Sequence, residues 1–177
     1  MFGLFGKKEK PVPVTDLVWM TDTGKKKGLL NILQKDMTVV LVAWFEDTAR
    51  EMETFLQQEG IEYSILSQRQ LRSSQTTGRE VVFLEHYPLY KKEQETFKSL
   101  NAAKITVLSS LEEPLLKQFG GERISLLMRN MGGMEEEAIS HNMVTLSIQR
   151  AQQKLEKKIT VDQSGISAAE WFRRNVG

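Results

Sequence analysis

The sequence contains no cysteine, which excludes disulfides and thiolate metal sites. Histidine is almost as scarce. His86 and His141 are the two present, too few for a multi-histidine metal centre. Neither sign of charge dominates: 24 Lys and Arg face 23 Asp and Glu, a formal net charge of +1. No global field therefore draws nucleic acid or a membrane surface toward the chain, and any basic site has to be local. No apolar run approaches the roughly 18–20 residues that span a bilayer. The opening MFGLFGKKEK puts apolar residues before basic ones, the reverse of a secretory signal. These absences point to the cytoplasm. There is no internal repeat and no low-complexity segment.

What is present suits a globular fold. A chain of 177 residues with 40% hydrophobic content supplies one core, with room for an appendage. Residues 1–14 read as a flexible tail ending in the stiff Pro11-Val12-Pro13. Its Phe2, Leu4 and Phe5 beside Lys7, Lys8 and Lys10 offer a peripheral contact to a membrane or a partner groove. Order is expected to begin at Thr15 or Asp16, with Asp22 or Thr23 capping a helix that carries Leu29, Leu30, Ile32 and Leu33. Residues 38–45, TVVLVAWF, form a nearly continuous apolar run, the pattern of a strand buried on both faces of a parallel sheet. A helix is predicted over 46–59, with Ala49, Met52, Phe55 and Leu56 on one face and Gly60 ending it. Further strands are predicted at 62–66, 80–85 and 104–108, a polar loop with at most one helical turn at 67–78, and a helix over 91–100. This alternation is the grammar of an open, mainly parallel α/β sheet with right-handed crossovers. After Ser109 the sequence turns helical: about 111–119, 121–131 and 135–157, then a final helix capped by Ser167 and holding Trp171 and Phe172. The fold class expected is three-layer α/β, with four or five strands and an α-helical C-terminal extension.

The most informative stretch is 119–158. Its ordered residues Phe119, Gly120, Glu122, Arg123, Ile124, Glu137, Ala138, Ile139, His141, Val144, Ile148, Ala151, Gln152, Lys154, Leu155 and Glu156 follow the pattern F-G-S-E-R-[IV], a short helix, then G-[ED]-A-I-x-H-x-x-[VL]-x-x-x-I-x-x-A-Q-x-K-[VL]-E. That pattern resembles the segment after the second nucleotide-binding domain of SecA, the preprotein translocase motor ATPase, a helicase C-terminal-like domain. The resemblance extends to DLVWMTDTGKKKGLLNIL at 16–33, to Gly60, Ile61, Tyr63 and Leu66, and to TVLSSLEEPLLKQF at 106–119. It fades between 67 and 103. There the motor carries T-N-M-A-G-R-G-T-D-I and Q-L-R-G-R-[AS]-G-R-Q-G-D, which approach phosphates and stabilise charge on the transferring phosphoryl group. This sequence has SQRQLRSSQTTG and KKEQETFKSLNAAK in their place. No catalytic residue and no cofactor therefore carries over, and what does is scaffold. The resemblance implies a SecA-like α/β domain over 15–120 with a helical extension over 121–177. It further implies a non-catalytic interaction or regulatory module linked to protein export, with SecA or a translocon component as partner. Two alternatives stay open: an ATP-binding accessory that completes a nucleotide site with another subunit, and a nucleic-acid-binding helicase-like remnant.

Several local features have both a functional and a plainer reading. TDTGKKKG at 21–28 is similar to a phosphate loop, but lacks the first glycine and the Ser/Thr after lysine, and is expected to precede the first sheet strand. Glu85, His86 and Tyr87 fall at the carboxyl end of a predicted strand, the edge where open α/β sheets bind ligands. A histidine beside a carboxylate can act as a general base. A turn set by Pro88, or a protein contact through Tyr87 and Tyr90, fits the same residues. Trp171 and Phe172, followed by two arginines, read as a docking peptide or as a segment folded back on its own domain. Glu85, His86, Tyr87, Tyr90, Trp171 and Phe172 are thus the candidate interaction surface. Lys25, Lys26, Lys27, Lys91 and Lys92 form a basic face only if their elements are neighbours, and without interleaved aromatics they favour a solvated surface over nucleic acid. Met128, Met131, Met134 and Met143 suit core filling or an adaptable apolar surface.

Overall fold

The computed structural model describes residues 10–130 and 132–177, apart from the side chain of Leu127. The chain runs β1 (Thr15–Trp19), α1 (Asp22–Lys35), β2 (Val40–Ala43), α2 (Glu46–Gln58) and β3 (Ile65–Ser67). A 3-10 turn (Gln68–Gln70) and α3 (Ser73–Thr76) then lead to β4 (Glu80–Phe83), α4 (Tyr90–Ser99) and β5 (Lys104–Ser110). The last part is helical: α5 (Pro114–Gln118), α6 (Gly121–Asn130), α7 (Asn142–Glu156) and α8 (Ala168–Asn175). The strands form one sheet in the order β1-β5-β4-β2-β3, and every pairing is parallel. The α/β class and the C-terminal helical extension are as the sequence implies.

Strand alternation sorts the side chains onto two faces. Leu41, Ala43, Val82, Leu84 and Leu108 meet Leu29 and Leu33 of α1 and Met52 and Leu56 of α2. Val40, Val42, Val81, Phe83, Ile105 and Val107 meet Phe97 of α4 and Leu100 just after it. Burial on both faces is why these strands read as continuous apolar runs. A third cluster gathers at the carboxyl end of the sheet. There Val18, Met20, Phe45, Tyr87 and Leu111 pack with Leu115 of α5, Ile148, Ala151 and Leu155 of α7, and Trp171 and Phe172 of α8.

Three expectations need correction. Residues 15–19 are a full edge strand paired with β5, so TDTGKKKG follows a strand instead of preceding the first one. The helix expected from 135 begins only at Asn142, where the His141 ring accepts a hydrogen bond from the Met143 amide at 3.2 Å. Ahead of it, Ile139 bridges Val18 in antiparallel fashion, exchanging amide–carbonyl bonds of 3.0 and 2.7 Å. The edge of β1 offers backbone groups that a helix at 135–141 would leave unpaired. The tail is also shorter than 1–14. The Val12 amide donates to Gln94 at 2.8 Å, and Val12 and Val14 pack beside α4. The Phe2, Leu4 and Phe5 contact lies outside the described residues. No described helix is long and apolar enough to cross a membrane.

Candidate functional site at the carboxyl edge of the sheet

In an open α/β sheet, ligands settle where neighbouring strands send their crossovers to opposite faces. Here those strands are β2 and β4, because α2 covers one face and α4 the other. The crevice between their carboxyl ends is occupied by the chain itself. One Glu85 oxygen accepts from the Trp44 amide at 2.6 Å and the Phe45 amide at 3.2 Å, tying the two strand ends together. Above them the Tyr87 ring lies 4.9 Å from Trp44 and 6.0 Å from Phe45, and Trp171 meets its edge at 6.0 Å. Trp171 is wholly buried.

The other natural seat for an anion is the start of α1, which follows β1 directly. Helix N-termini present free amides and a positive dipole end to phosphates. Thr21 caps this one, its hydroxyl accepting from the Gly24 amide at 3.0 Å. The Asp22 amide donates to the Glu112 carboxylate at 2.8 Å, and Ser110 donates its hydroxyl to Asp22. Lys25, only 3% exposed, places its ammonium 2.5 Å from Glu113. Two carboxylates from the β5–α5 turn thus take the positions that phosphate oxygens would take beside an amide and a lysine. A cavity of about 210 Å³ opens beside them, and Asp22, Asp47, Glu51, Glu85, Glu112 and Glu113 all line it. Lys25 and His86 line it too, so its acidic side chains are only partly balanced. Burial pushes the Glu85 carboxyl up to about 7, against the pull of Lys25. Burial also works against the charge of Lys25, but Glu113 and Glu85 more than restore it, and its pKa is raised.

A third buried cluster joins the extension to the sheet. His86 Nδ1 is 2.9 Å from Glu93, and its Nε2 is 3.1 Å from Asp16, an ionic contact outside hydrogen-bond alignment. Gln152 of α7 donates to the second Glu93 oxygen at 2.8 Å and to the Tyr87 carbonyl at 2.7 Å. Burial disfavours a charged imidazole, yet Glu93 and Asp16 outweigh it and hold His86 well above its ordinary value. Asp16 is correspondingly held low: burial opposes its charge, and His86 and the Thr145 hydroxyl more than offset that. A histidine kept protonated between two carboxylates has no free lone pair, so it does not serve as a general base. Among the described residues no cluster of three ligating side chains suits a metal ion.

The structure brings together Glu85, His86 and Tyr87 from the middle of the chain with Trp171 and Phe172 from near its end, while Tyr90 lies apart at the start of α4, half-buried. Of the two readings of Trp171 and Phe172, the structure has the segment folded back on its own domain. The first five are at most 9% exposed, because Trp171 and Phe172 turn inward to cover the strand ends. The lysines do not assemble into a basic face. Lys25, Lys26, Lys27 and Lys92 pair with Glu113, Glu51, Glu136 and Asp162. Sequence reasoning missed Asp16, Glu93, Gln152, Glu112, Glu113 and Asp162. The surface that is exposed and apolar lies elsewhere: Ile124 and Leu126 on α6, Met134, and Met143 and Leu146 on α7 are 47–70% exposed.

No family model matches the chain. A stretch of 49 residues, 28% of the chain, is 49% identical to the protein translocase subunit SecA of Acinetobacter baumannii. SecA of Christiangramia forsetii matches 48 residues at 52% identity, and SecA of Halothermothrix orenii matches 47 at 49%, each 27% of the chain. The chain carries a SecA-related region. The matched stretch spans only 4–6% of these relatives' own length.

Proposed function

We propose that this chain is a non-catalytic, SecA-like interaction module of protein export. One observation carries the reading: Glu112 accepts from the α1 N-terminal amide of Asp22 and Glu113 pairs with Lys25, so this helix N-terminus is closed to an anion by the chain's own carboxylates. The acidic cavity beside them and the aromatic packing over the β2–β4 crevice support it. The fold keeps the layered sheet of a second motor domain and uses its ligand edge to hold its own C-terminal helices. What it offers outward is the apolar surface of Ile124, Leu126, Met134, Met143 and Leu146. Exposed apolar side chains on α6 and α7 offer a contact surface, and methionines adapt to the partner's shape. The occupant that fits the SecA-related region is the SecA translocase subunit.

The test is direct binding between the purified chain and purified SecA, followed by fluorescence anisotropy of the labelled chain. Leu126→Glu and Met143→Glu should each weaken binding by about tenfold or more while the folded circular dichroism spectrum is unchanged. Absence of binding at concentrations of tens of micromolar, or binding indifferent to both substitutions, would sink the proposal.

A further inference from the structure

We infer that residues 160–177 form a lid that opens as one body over the β2–β4 crevice. This goes beyond the export reading and does not depend on it. The segment is bonded mainly to itself. The Gln163 amide donates to the Asn175 side chain at 2.9 Å, and Asn175 returns a bond to the Gln163 carbonyl at 2.8 Å. The Ile166 amide donates to Glu170 at 2.8 Å, Arg174 donates to the Ser164 carbonyl at 2.9 Å, and Trp171 Nε1 donates to Asp162 at 2.7 Å. These bonds close the strap 162–167 onto α8, so the two move together.

Main-chain ties to the rest of the fold are few. Among the described residues, one main-chain hydrogen bond crosses, from the Asp47 amide to the Ile166 carbonyl at 3.0 Å. It caps α2, whose N-terminus has no side-chain cap. No strand ladder joins the lid to the sheet. The polar anchor is Asp162, which accepts from the Tyr87 hydroxyl at 2.7 Å and pairs with Lys92 at 2.6 Å. The apolar anchor is Trp171 with Phe172. Packing between lid and body is open on both sides. The acidic cavity of about 210 Å³ runs beneath Ser167, Ala168 and Phe172. A second cavity of about 200 Å³ separates Ser164, Gly165 and Ile166 from Trp44 and Ser67. The Trp44 indole N–H is buried without a partner, a cost that opening relieves. A self-bonded body on one polar and one apolar anchor, flanked by voids and joined through the exposed turn after α7, has the construction of a hinged lid. Lifting it bares the aromatic shelf of Trp44, Phe45 and Tyr87 at the position where this sheet type receives ligands.

Hydrogen exchange on the full-length chain tests this. The amides of Trp171 and Val176, and the Asp47 amide across the boundary, should exchange together, at least about tenfold faster than those of β4 and β5. Asp162→Asn should speed that set by about a further tenfold and leave β4 and β5 within about twofold. Tyr87→Phe, which removes the anchor's hydroxyl from the body side, should act in the same direction. Lid amides exchanging at the rate of β4 and β5, or both variants accelerating all regions alike, would overturn the inference.

Discussion

Replacing Glu113 by alanine strips Lys25 of its closest counter-charge and leaves an ammonium that is 3% exposed. Breaking a buried pair by removing one partner costs about 3–5 kcal/mol. Glu113 itself keeps 16% of its side chain exposed, and Glu85 remains nearby to compensate Lys25, so the lower end applies, about 3 kcal/mol. With a urea dependence of about 2 kcal/mol per molar, the unfolding midpoint should fall by about 1.5 M. Lys25→Met should cost less, roughly 1–2 kcal/mol, because the stranded carboxylates can take up protons. The double variant Lys25→Met/Glu113→Ala should recover to within about 1 kcal/mol of wild type, since an apolar replacement of a buried pair is often neutral. Urea unfolding followed by circular dichroism measures all four corners of the cycle. A Glu113→Ala midpoint within about 0.3 M of wild type, or strictly additive single effects, would refute the claim that this pair fills an anion seat.

Two further outcomes follow from the buried groups. Glu85 binds its proton more tightly in the folded state, at about 7 against an ordinary 4.5. Stability should therefore fall as pH rises from about 4.5 to about 7, by up to about 3 kcal/mol. His86 adds to this at higher pH: its contribution is complete below about 6.5 and is lost only as pH climbs through its raised folded value. Urea midpoints at a series of pH values should show Glu85→Gln flattening the lower window alone. Gly28→Ala should destabilise by about 1–3 kcal/mol through overpacking, because its Cβ would lie 2.0 Å from the buried Trp19 ring; an unchanged thermal midpoint would show that α1 does not pack on Trp19 this closely.

The sheet was legible where side chains are buried on both faces. TVVLVAWF and EVVFLE became β2 and β4 because no alternation interrupts them. β1 was not, because Asp16 breaks its apolar pattern, and Asp16 is there for an ion pair with a histidine 70 positions away. Reading β1 as mere lead-in then misplaced TDTGKKKG relative to the sheet. The helix expected from 135 failed for a comparable reason: Ile139 fits a helical stripe, but its backbone is claimed by the edge of β1. Glu85, His86 and Tyr87 were found through their position after a strand. Their roles were not, since they depend on Lys25, Gln152 and Asp162, which are remote in sequence, and on Glu93, which reaches back from the next helix. Periodicity reports which face is buried and does not report which charges meet there.

The central claim is that the anion seat at the ligand edge is already taken by Glu112 and Glu113. Titration calorimetry of the full chain with Mg-ATP tests it most directly. The account predicts no saturable heat up to about 1 mM nucleotide, a binding free energy no better than about −4 kcal/mol. A one-to-one isotherm with a dissociation constant in the micromolar range would contradict it.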